Sequence, residues 1–141
     1  IVMIIGIVKE IKDKEFRVGA TPTMCRGFVA AGHTVLVESS AGEAIDFSNH
    51  DYQSSGAQIV DQKEVWQAQL IIKVKEPQPS EYSLMKEGQI LFCYLHLAPD
   101  EKLTSALIEK KVIAVAYETV MDMNAGLPLL KPMSEIAGRI S

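Results

Sequence analysis

The sequence has 141 residues, of which 48% are hydrophobic and 23% are charged, and its formal net charge is −4 at pH 7. This length suits one ordinary domain, and the composition is that of a globular chain, not a disordered one. The basic residues are scattered, so they offer no stripe that could track a phosphate backbone. The charge pattern therefore argues against a nucleic-acid partner.

The N-terminal run and the cysteines indicate a cytoplasmic protein. The run IVMIIGIVKEI meets Lys9 early and lacks a basic leader, so it predicts a buried strand, not a signal peptide or a membrane span. Cys25 and Cys93 lie inside apolar stretches, without a His or Cys at a metal-ligand spacing. We therefore expect buried reduced thiols, no disulfide, no metal site and no membrane contact.

Short β-branched runs alternate with helical stretches, which is the pattern of a parallel α/β sheet. In the first half of the chain, residues 3–8 and the run TVLVES predict buried strands. Between them a helix is predicted to begin after the N-cap Thr21, with Pro22 in its first turn, and to end at Gly32. Its inward face is predicted to carry Met24, Cys25, Phe28 and Val29. The run HDYQSSG predicts a short helix before a weak strand.

The second half continues the same pattern. One helical turn is predicted at residues 65–68, and buried strands are predicted at residues 70–74, 90–95 and 112–116. Asp100 is predicted to cap an amphipathic helix whose inward residues are Leu103, Ala106 and Leu107. A last helix is predicted to begin at Ser134 and to be still in progress at Ser141. We therefore expect a fragment of a longer protein.

Side chains that suit catalysis or binding follow four of the predicted strands. They are Arg17, Lys75, His96 and Glu118. Ligands of open parallel sheets bind beyond the carboxyl ends of the strands, so these groups are predicted to share one rim. Arginine captures carboxylates in a bidentate manner, lysine holds a carboxylate or polarises a carbonyl, and histidine moves protons near neutral pH. The set suits a 2-oxo acid or an amino acid.

Each of these residues also has an ordinary structural explanation. Arg17 or Lys75 alone is typical of a solvated loop charge, His96 of a strand-end ring bonded to backbone, and Glu118 of a partner for a lysine. Their convergence on one edge favours a functional site. Lys75 is preferred to Lys73 because it lies nearer the carboxyl end of its strand. The chain contains no G-x-G-x-x-G after a strand, no Walker loop, no G-x-S-x-G and no H-E-x-x-H.

Five segments in order along nearly the whole chain resemble the N-terminal part of alanine dehydrogenases: KEIKDKEFRVGATP, IIKVKEPQPSEY, GQILFCYLHLA, AYETV and LPLLKPMSEIAGR. The related transhydrogenase α subunit shares the opening and ending motifs but lacks the histidine of YLHLA, which favours the dehydrogenase. With the strand pattern, the resemblance implies an α/β fold. This is an open, mostly parallel, twisted sheet with helices on both faces, Rossmann- or flavodoxin-like, that ends before the nucleotide-binding domain.

The resemblance implies that the full-length protein is a cytoplasmic homo-oligomer, a hexamer by family habit. It would interconvert L-alanine with pyruvate and ammonia, using NAD bound mainly by an absent downstream domain. Residues 1–130 would form the substrate domain, and residues 131–141 would begin the connecting helix. This fragment alone is expected to be inactive. A transhydrogenase α subunit and a non-catalytic module that binds a small acid are the alternatives.

The resemblance also assigns roles to individual residues. Arg17 and Lys75 would hold the substrate's carboxylate and oxo group, and Lys75 and His96 would be catalytic, His96 as the acid/base. Met133 would line the substrate cleft, and Ser134 would contact the cofactor. Glu118 is a weaker candidate, for a structural or metal-linked role.

Overall fold

The structure, a computed structural model, describes residues 2–95 and 100–117. Its strands are β1 (Ile4–Ile7), β2 (Thr34–Glu38), β3 (Gln58–Val60), β4 (Leu70–Ile72), β5 (Ile90–Cys93) and β6 (Ile113–Ala116). Its α-helices are α1 (Pro22–Ala30), α2 (Asn49–Ser54), α3 (Gln62–Val65) and α4 (Glu101–Glu109). Two 3-10 segments cover Glu43–Ile45 and Pro79–Leu84.

The described strands form one parallel sheet in the order β3-β2-β1-β4-β5-β6. This is the strand order of the Rossmann fold, and it confirms the predicted open parallel α/β architecture. The chain moves outward from β1 to β3 and then crosses back to place β4 on the other side of β1. The loops after β1 and β4 therefore leave the sheet side by side, at the point where the strand order reverses.

Two hydrophobic clusters cover the two faces of the sheet. On one face, Ile7 and Val37 of the central strands pack with Cys25 of α1 and Tyr52 of α2. The other face uses different residues, with Leu36, Ile71 and Leu91 packing with Val65, Trp66, Leu103 and Leu107. Because successive residues of a strand point to opposite faces, each central strand serves both clusters and must be apolar throughout.

Several predicted signals act as expected. Thr21 caps α1, with its hydroxyl accepting a hydrogen bond from the Met24 amide at 3.2 Å. Gly32 follows the helix with a φ of 97°, a left-handed conformation that suits glycine. Asp100 caps α4, whose Leu103, Ala106 and Leu107 are buried as predicted. Cys25 and Cys93 are buried, and neither is part of a disulfide.

Three expectations about elements were wrong. Met24 does not face inward, since it is 46% exposed. The buried residue of α1 is Cys25, and Val29 lies four residues after it on the same side of the helix, so Met24 is turned toward solvent. The helical turn expected at residues 65–68 begins earlier, at Gln62, because the Asp61 carboxylate caps it through the Glu64 amide. β4 and β5 end at Ile72 and Cys93, two residues before the predicted ends.

β6 also differs from its prediction as a buried strand. Ile113 is 55% exposed and Val115 is 37% exposed. Within the described residues, β6 is the last strand of the sheet and pairs with β5 alone. Hydrophobic composition marked the strand correctly but carried no information on its place at the edge.

No helix within residues 2–95 and 100–117 is long and apolar enough to cross a membrane. The same two ranges contain no group of three or more His, Cys, Asp or Glu side chains arranged to hold a metal ion.

Gly19 provides a test of how tightly the loop after β1 packs against β4. A Cβ at Gly19 would lie 2.7 Å from the carbonyl oxygen of Ile72, a backbone atom that cannot rotate away. We expect Gly19→Ala to lower the free energy of unfolding by about 1–3 kcal/mol. At Gly27, on α1, a Cβ would meet nothing within 4 Å. Gly27→Ala should therefore leave stability unchanged or raise it by up to ~1 kcal/mol.

Urea denaturation of the two variants beside the unchanged protein measures the difference. Equal midpoints for Gly19→Ala and Gly27→Ala would show that the loop moves to accept a methyl group.

Candidate functional site

Arg17 lies in the loop between β1 and α1, where its guanidinium is held by a neighbouring carboxylate. Its Nε donates to Glu15 Oε2 at 2.9 Å, and its Nη2 donates to Glu15 Oε1 at 2.8 Å. The Arg17 backbone amide donates to the same Oε2 at 3.0 Å. The two side chains are only 11% and 6% exposed. A bidentate pair of this kind fixes the plane of the guanidinium.

The charges around Glu15 place Arg17 and Lys75 in one electrostatic neighbourhood. Burial alone would raise the pKa of the Glu15 carboxyl, but the hydrogen bonds from Arg17 and the charges of Arg17 and Lys75 outweigh it and lower that pKa. The hydrogen bond between Arg17 and Glu15 raises the pKa of the Arg17 guanidinium, although burial acts in the opposite direction. Arg17 is thus the hydrogen-bonded partner of Glu15, and the Lys75 charge is the last of the influences on that carboxyl.

Lys75 lies three residues after β4, beside a group of aromatic rings. Its Nζ lies 5.9 Å from the centroid of the Tyr94 ring, at the outer limit of a cation–π contact. Tyr94 meets Tyr117 edge-on, with 5.3 Å between ring centroids, and Tyr117 meets Phe92 at 4.3 Å. Burial raises the pKa of Tyr117. These rings form a wall beyond β5 and β6 on one side of the lysine.

A buried ion cluster of Glu10, Lys73 and Glu81 lies directly behind Lys75. The Lys73 Nζ donates to Glu10 Oε1 at 3.0 Å and lies 3.8 Å from Glu81 Oε2. None of the three side chains is more than 2% exposed. Burial alone would lower the pKa of Lys73, but the two carboxylates outweigh it and raise that pKa. Burial raises the pKa of Glu81.

Arg17 also lines a groove of about 350 Å³. It is lined by Lys9, Glu10, Arg17, Ser40, Ala41, Glu43 and Ala44. Its volume is at the lower end of the range for small-molecule pockets. Lysine, arginine and glutamate side chains together make its walls charged, which suits a small polar ligand better than an apolar one.

Comparisons with known proteins show the family of this chain. The family profile described as "Alanine dehydrogenase/PNT, N-terminal domain" matches residues 6–137. The chain belongs to this family. The chain is 56% identical over 140 residues to "Alanine dehydrogenase 2" of Staphylococcus aureus (strain USA300), covering 99% of this chain and 38% of that protein. The Alanine dehydrogenase 2 of strain N315 is 55% identical over the same length.

Solved structures show the same relationship. A structure described as "L-alanine dehydrogenase" superposes with a TM-score of 0.92 at 51% identity, covering 98% of this chain and 38% of that one. The crystal structure of transhydrogenase from Sinorhizobium meliloti has a TM-score of 0.78 at 25% identity, covering 82% of this chain and 35% of that one. The chain thus spans well under half the length of the relatives that it matches.

In this alanine dehydrogenase/PNT N-terminal domain, two of the predicted site residues are described and lie in one neighbourhood. Arg17 lines a groove with Glu10, and Glu10 accepts a hydrogen bond from the Lys75 amide. The other predicted residues, His96, Glu118, Met133 and Ser134, lie outside the described residues. Their roles remain predictions.

Sequence reasoning missed Glu10, Glu15 and the function of Lys73. A lysine directly after an apolar strand is a detectable signal, because a buried charge needs a partner. The partners themselves could not be read from the sequence: Glu10 is 63 residues away from Lys73. Glu15 could have been suspected from the E-x-R spacing, which places a carboxylate within reach of Arg17.

The lowered pKa of Glu15 predicts a pH-dependent stability difference. A carboxyl group whose folded pKa is depressed stabilises the fold above its unfolded pKa, and this contribution is lost as the pH falls through the folded pKa. Glu15→Gln should therefore lower the free energy of unfolding at pH 7 by about 1 kcal/mol, with solvent screening limiting the effect. The difference from the unchanged protein should shrink below about pH 4.

Urea denaturation at neutral and acidic pH provides the measurement. Glu87→Gln is the matched control, because Glu87 is 74% exposed in its pair with Lys111 and should contribute almost nothing. A Glu15→Gln deficit of constant size across this pH range would contradict the ionic explanation.

Proposed function

We propose that the full-length protein carrying this chain is an NAD-dependent alanine dehydrogenase, which reversibly converts L-alanine to pyruvate and ammonia, and that this chain forms its substrate-binding half. The observation that carries the proposal is the placement of Arg17 and Lys75 around Glu10: Arg17 lines a groove with Glu10, and the Glu10 carboxylate accepts from the Lys75 amide. The 56% identity to Alanine dehydrogenase 2 supports the same substrate. Residues 1–130 would be the substrate domain, and residues 131–141 the start of the connection to the next domain.

The two cations suit the two ends of a 2-oxo acid. Arg17, held in plane by Glu15, binds the carboxylate of pyruvate or alanine, since a guanidinium matches the geometry of a carboxylate. The Lys75 ammonium donates to the oxo oxygen, polarising the carbonyl so that its carbon becomes more electrophilic. The Tyr94 ring lies on one side of this ammonium, 5.9 Å from the ring centroid to Nζ.

Proton transfer is assigned to His96. Removal of a proton from the alanine ammonium group, and from the water that releases ammonia, needs a group that titrates near neutral pH. In the sequence, His96 comes three residues after the end of β5, the strand next to β4, and the proposal takes it to act on the substrate held by Lys75. Met133 would line the same cleft. Glu118 stays a weaker candidate, for a structural or metal-linked role.

The described residues do not fit a dinucleotide. In a Rossmann fold the pyrophosphate meets a glycine-rich loop directly after β1. Here Val8, Lys9 and Glu10 follow β1, and the Glu10 carboxylate is turned to the end of β4. We therefore assign NAD, which exchanges a hydride with the substrate carbon, to the downstream domain, with Ser134 as its contact from this chain. The proposal extends to a cytoplasmic homo-oligomer, a hexamer by family resemblance.

The test is an activity assay of the purified full-length protein. We expect L-alanine-dependent reduction of NAD, and oxidation of NADH that requires both pyruvate and ammonia. The isolated chain should be inactive. Hydride exchange between two nucleotides without any need for alanine would instead favour a transhydrogenase, a family represented by the Sinorhizobium meliloti structure. Binding of pyruvate with neither activity would favour a non-catalytic acid-binding module.

A further inference from the structure

The Glu10 carboxylate holds the three residues that directly follow β4, which are Lys73, Val74 and Lys75 and are called the end of β4 below. Glu10 Oε1 accepts hydrogen bonds from the Lys73 Nζ at 3.0 Å and from the Lys75 amide at 3.0 Å. Its Oε2 accepts from the Val74 amide at 3.2 Å. Both carboxylate oxygens are therefore used, and every donor comes from the short segment that ends in Lys75.

These bonds replace sheet bonds that β1 no longer supplies. On the side of β5, the end of β4 is still tied to its neighbour, since the Lys73 amide donates to the Phe92 carbonyl and the Tyr94 amide to the Val74 carbonyl. On the side of β1, the ladder stops at the pair Ile7 and Ile72. Without Glu10, the Val74 and Lys75 amides would lose their hydrogen-bond partner, which destabilises this conformation of the backbone.

We propose that Glu10 is a positioning residue, which acts through the backbone of β4 to fix where the Lys75 ammonium meets the substrate. The inference rests on the proposed function, because it takes Lys75 as a substrate-binding group. Glu10 lies at the reversal of strand order between β1 and β4, the place where Rossmann domains bind their nucleotide. In this chain an internal carboxylate occupies that place and directs the ligand-binding groups to its edge.

A purely structural role for Glu10, as the counter-ion of Lys73, predicts something different. Glu81 also neutralises Lys73, at 3.8 Å, so the cluster keeps one ion pair when Glu10 becomes neutral. A counter-ion needs no bonds to the Val74 and Lys75 amides. The distinguishing feature is therefore the coupling between Glu10 and Lys75, which a double-mutant cycle measures.

The experiment compares Glu10→Gln, Lys75→Met and the double variant in the full-length protein, with kcat/KM for pyruvate as the readout. Glu10→Gln alone should lower kcat/KM by roughly 10- to 100-fold, the scale of a misplaced catalytic group. Added to Lys75→Met, it should cause less than about a further twofold loss, because there is no ammonium left to misplace. An equal loss in both backgrounds would overturn the proposal.

Glu38→Gln is the matched control. Glu38 is as buried as Glu10 when the whole residue is counted, with 9% of each residue exposed. Its Oε2 accepts from the Lys9 amide at 2.6 Å, whereas no hydrogen bond joins it to residues 73–75. Glu38→Gln removes a carboxylate from the end of the neighbouring strand β2 without touching residues 73–75. Glu38→Gln should change kcat/KM by less than about twofold. A loss as large as that of Glu10→Gln would count against a specific role for Glu10.

A second variant covers the case in which Glu10→Gln fails to fold. Glu10→Asp keeps the charge for Lys73, but its side chain is one methylene shorter and cannot hold the lysine and both amides together. It should fold and show the same non-additive loss with Lys75→Met. Wild-type kcat/KM in Glu10→Asp would overturn the proposal.

Hydrogen exchange separates this inference from the proposed function. The Val74 and Lys75 amides should exchange at least about tenfold faster in Glu10→Gln or Glu10→Asp than in the unchanged protein. Their exchange rates should not change in Glu38→Gln. This readout needs no activity. If the unchanged full-length protein failed to use alanine, the proposed function would fall, and exchange alone would decide on Glu10. Equal protection of both amides in all variants would then overturn its positioning role.

Discussion

Replacement of Lys75 by methionine in the full-length protein should lower kcat/KM for pyruvate by about 100-fold or more. Methionine is similar in length and apolar, so the main change is the loss of the ammonium beside the oxo oxygen. A hydrogen bond to a charged group contributes about 1.5–3 kcal/mol, and the loss of transition-state polarisation adds to it. Since about 1.4 kcal/mol is a tenfold change in rate, roughly 100-fold is the expected scale. Initial rates of NADH oxidation with pyruvate and ammonia measure it.

Lys63→Met is the matched control for this substitution. Lys63 is exposed on α3, which follows β3, a strand separated from β4 by β2 and β1, and methionine has a similar helix propensity. Its kcat/KM should stay within about twofold of the unchanged protein. Retention of full kcat/KM by Lys75→Met would remove Lys75 from the proposed mechanism, even if the protein proved to be an alanine dehydrogenase.

The positions of Arg17 and Lys75 could be predicted because they depend on topology. Once a run of apolar segments is recognised as a parallel sheet, whatever follows each strand must come to the same edge. That rule needs neither side-chain angles nor long-range pairing. It predicts that the two cations lie at one edge. In the structure Arg17 lines a groove together with Glu10, and the Glu10 carboxylate accepts a hydrogen bond from the Lys75 amide. The roles of the two cations in substrate binding stay predictions.

The groups that orient those cations could not be predicted in the same way. Glu10 meets Lys73 and Lys75 across 63 and 65 residues of chain, and it lies in a loop, where no periodicity tells which way a side chain turns. The edge position of β6 was missed for a related reason. An apolar strand has the same composition whether one or two strands flank it, so burial at the margin depends on the order of strands, which sequence periodicity does not carry.

Helix starts that depend on short-range capping signals were predicted correctly, except for that of α3. Caps such as Thr21 and Asp100 act within three residues, and both were recognised correctly. The cap of α3 was overlooked because a four-residue helix is too short to show an apolar period, although Asp61 carries the same signal. Local chemistry therefore fixes where elements begin, while the charges behind the site depend on contacts that only the folded chain creates.

Lys73→Met should destabilise the fold more than either Gly19→Ala or Glu15→Gln. It leaves Glu10 and Glu81, each with a side chain no more than 2% exposed, without their cation. Removal of one member of a buried ion pair costs about 3–5 kcal/mol, because the remaining charge must stay desolvated or take up a proton. Glu81 Oε2 already has no hydrogen-bond partner, so the ammonium is its main source of compensation.

The loss should depend on pH in a defined direction. Burial already raises the pKa of Glu81, and removal of the Lys73 charge removes the main opposing effect. A carboxyl group with a raised folded pKa favours the fold below its unfolded pKa, near about 4.3, and this advantage is lost as the pH rises through the folded pKa. The deficit of Lys73→Met should thus be smallest in acid and grow toward neutral pH.

Urea denaturation across this pH range tests both the size and the direction of the effect. Lys102→Met, an exposed lysine on α4, is the control and should change the free energy of unfolding by no more than about 0.5 kcal/mol. Adding Glu81→Gln to Lys73→Met should recover part of the loss at neutral pH, since it removes one of the two uncompensated carboxylates. A Lys73→Met protein as stable as the control at neutral pH would mean that water reaches the cluster and solvates its charges. The end of β4 would then be open to solvent, and Glu10 could not hold Lys75 through a dry, fixed set of bonds.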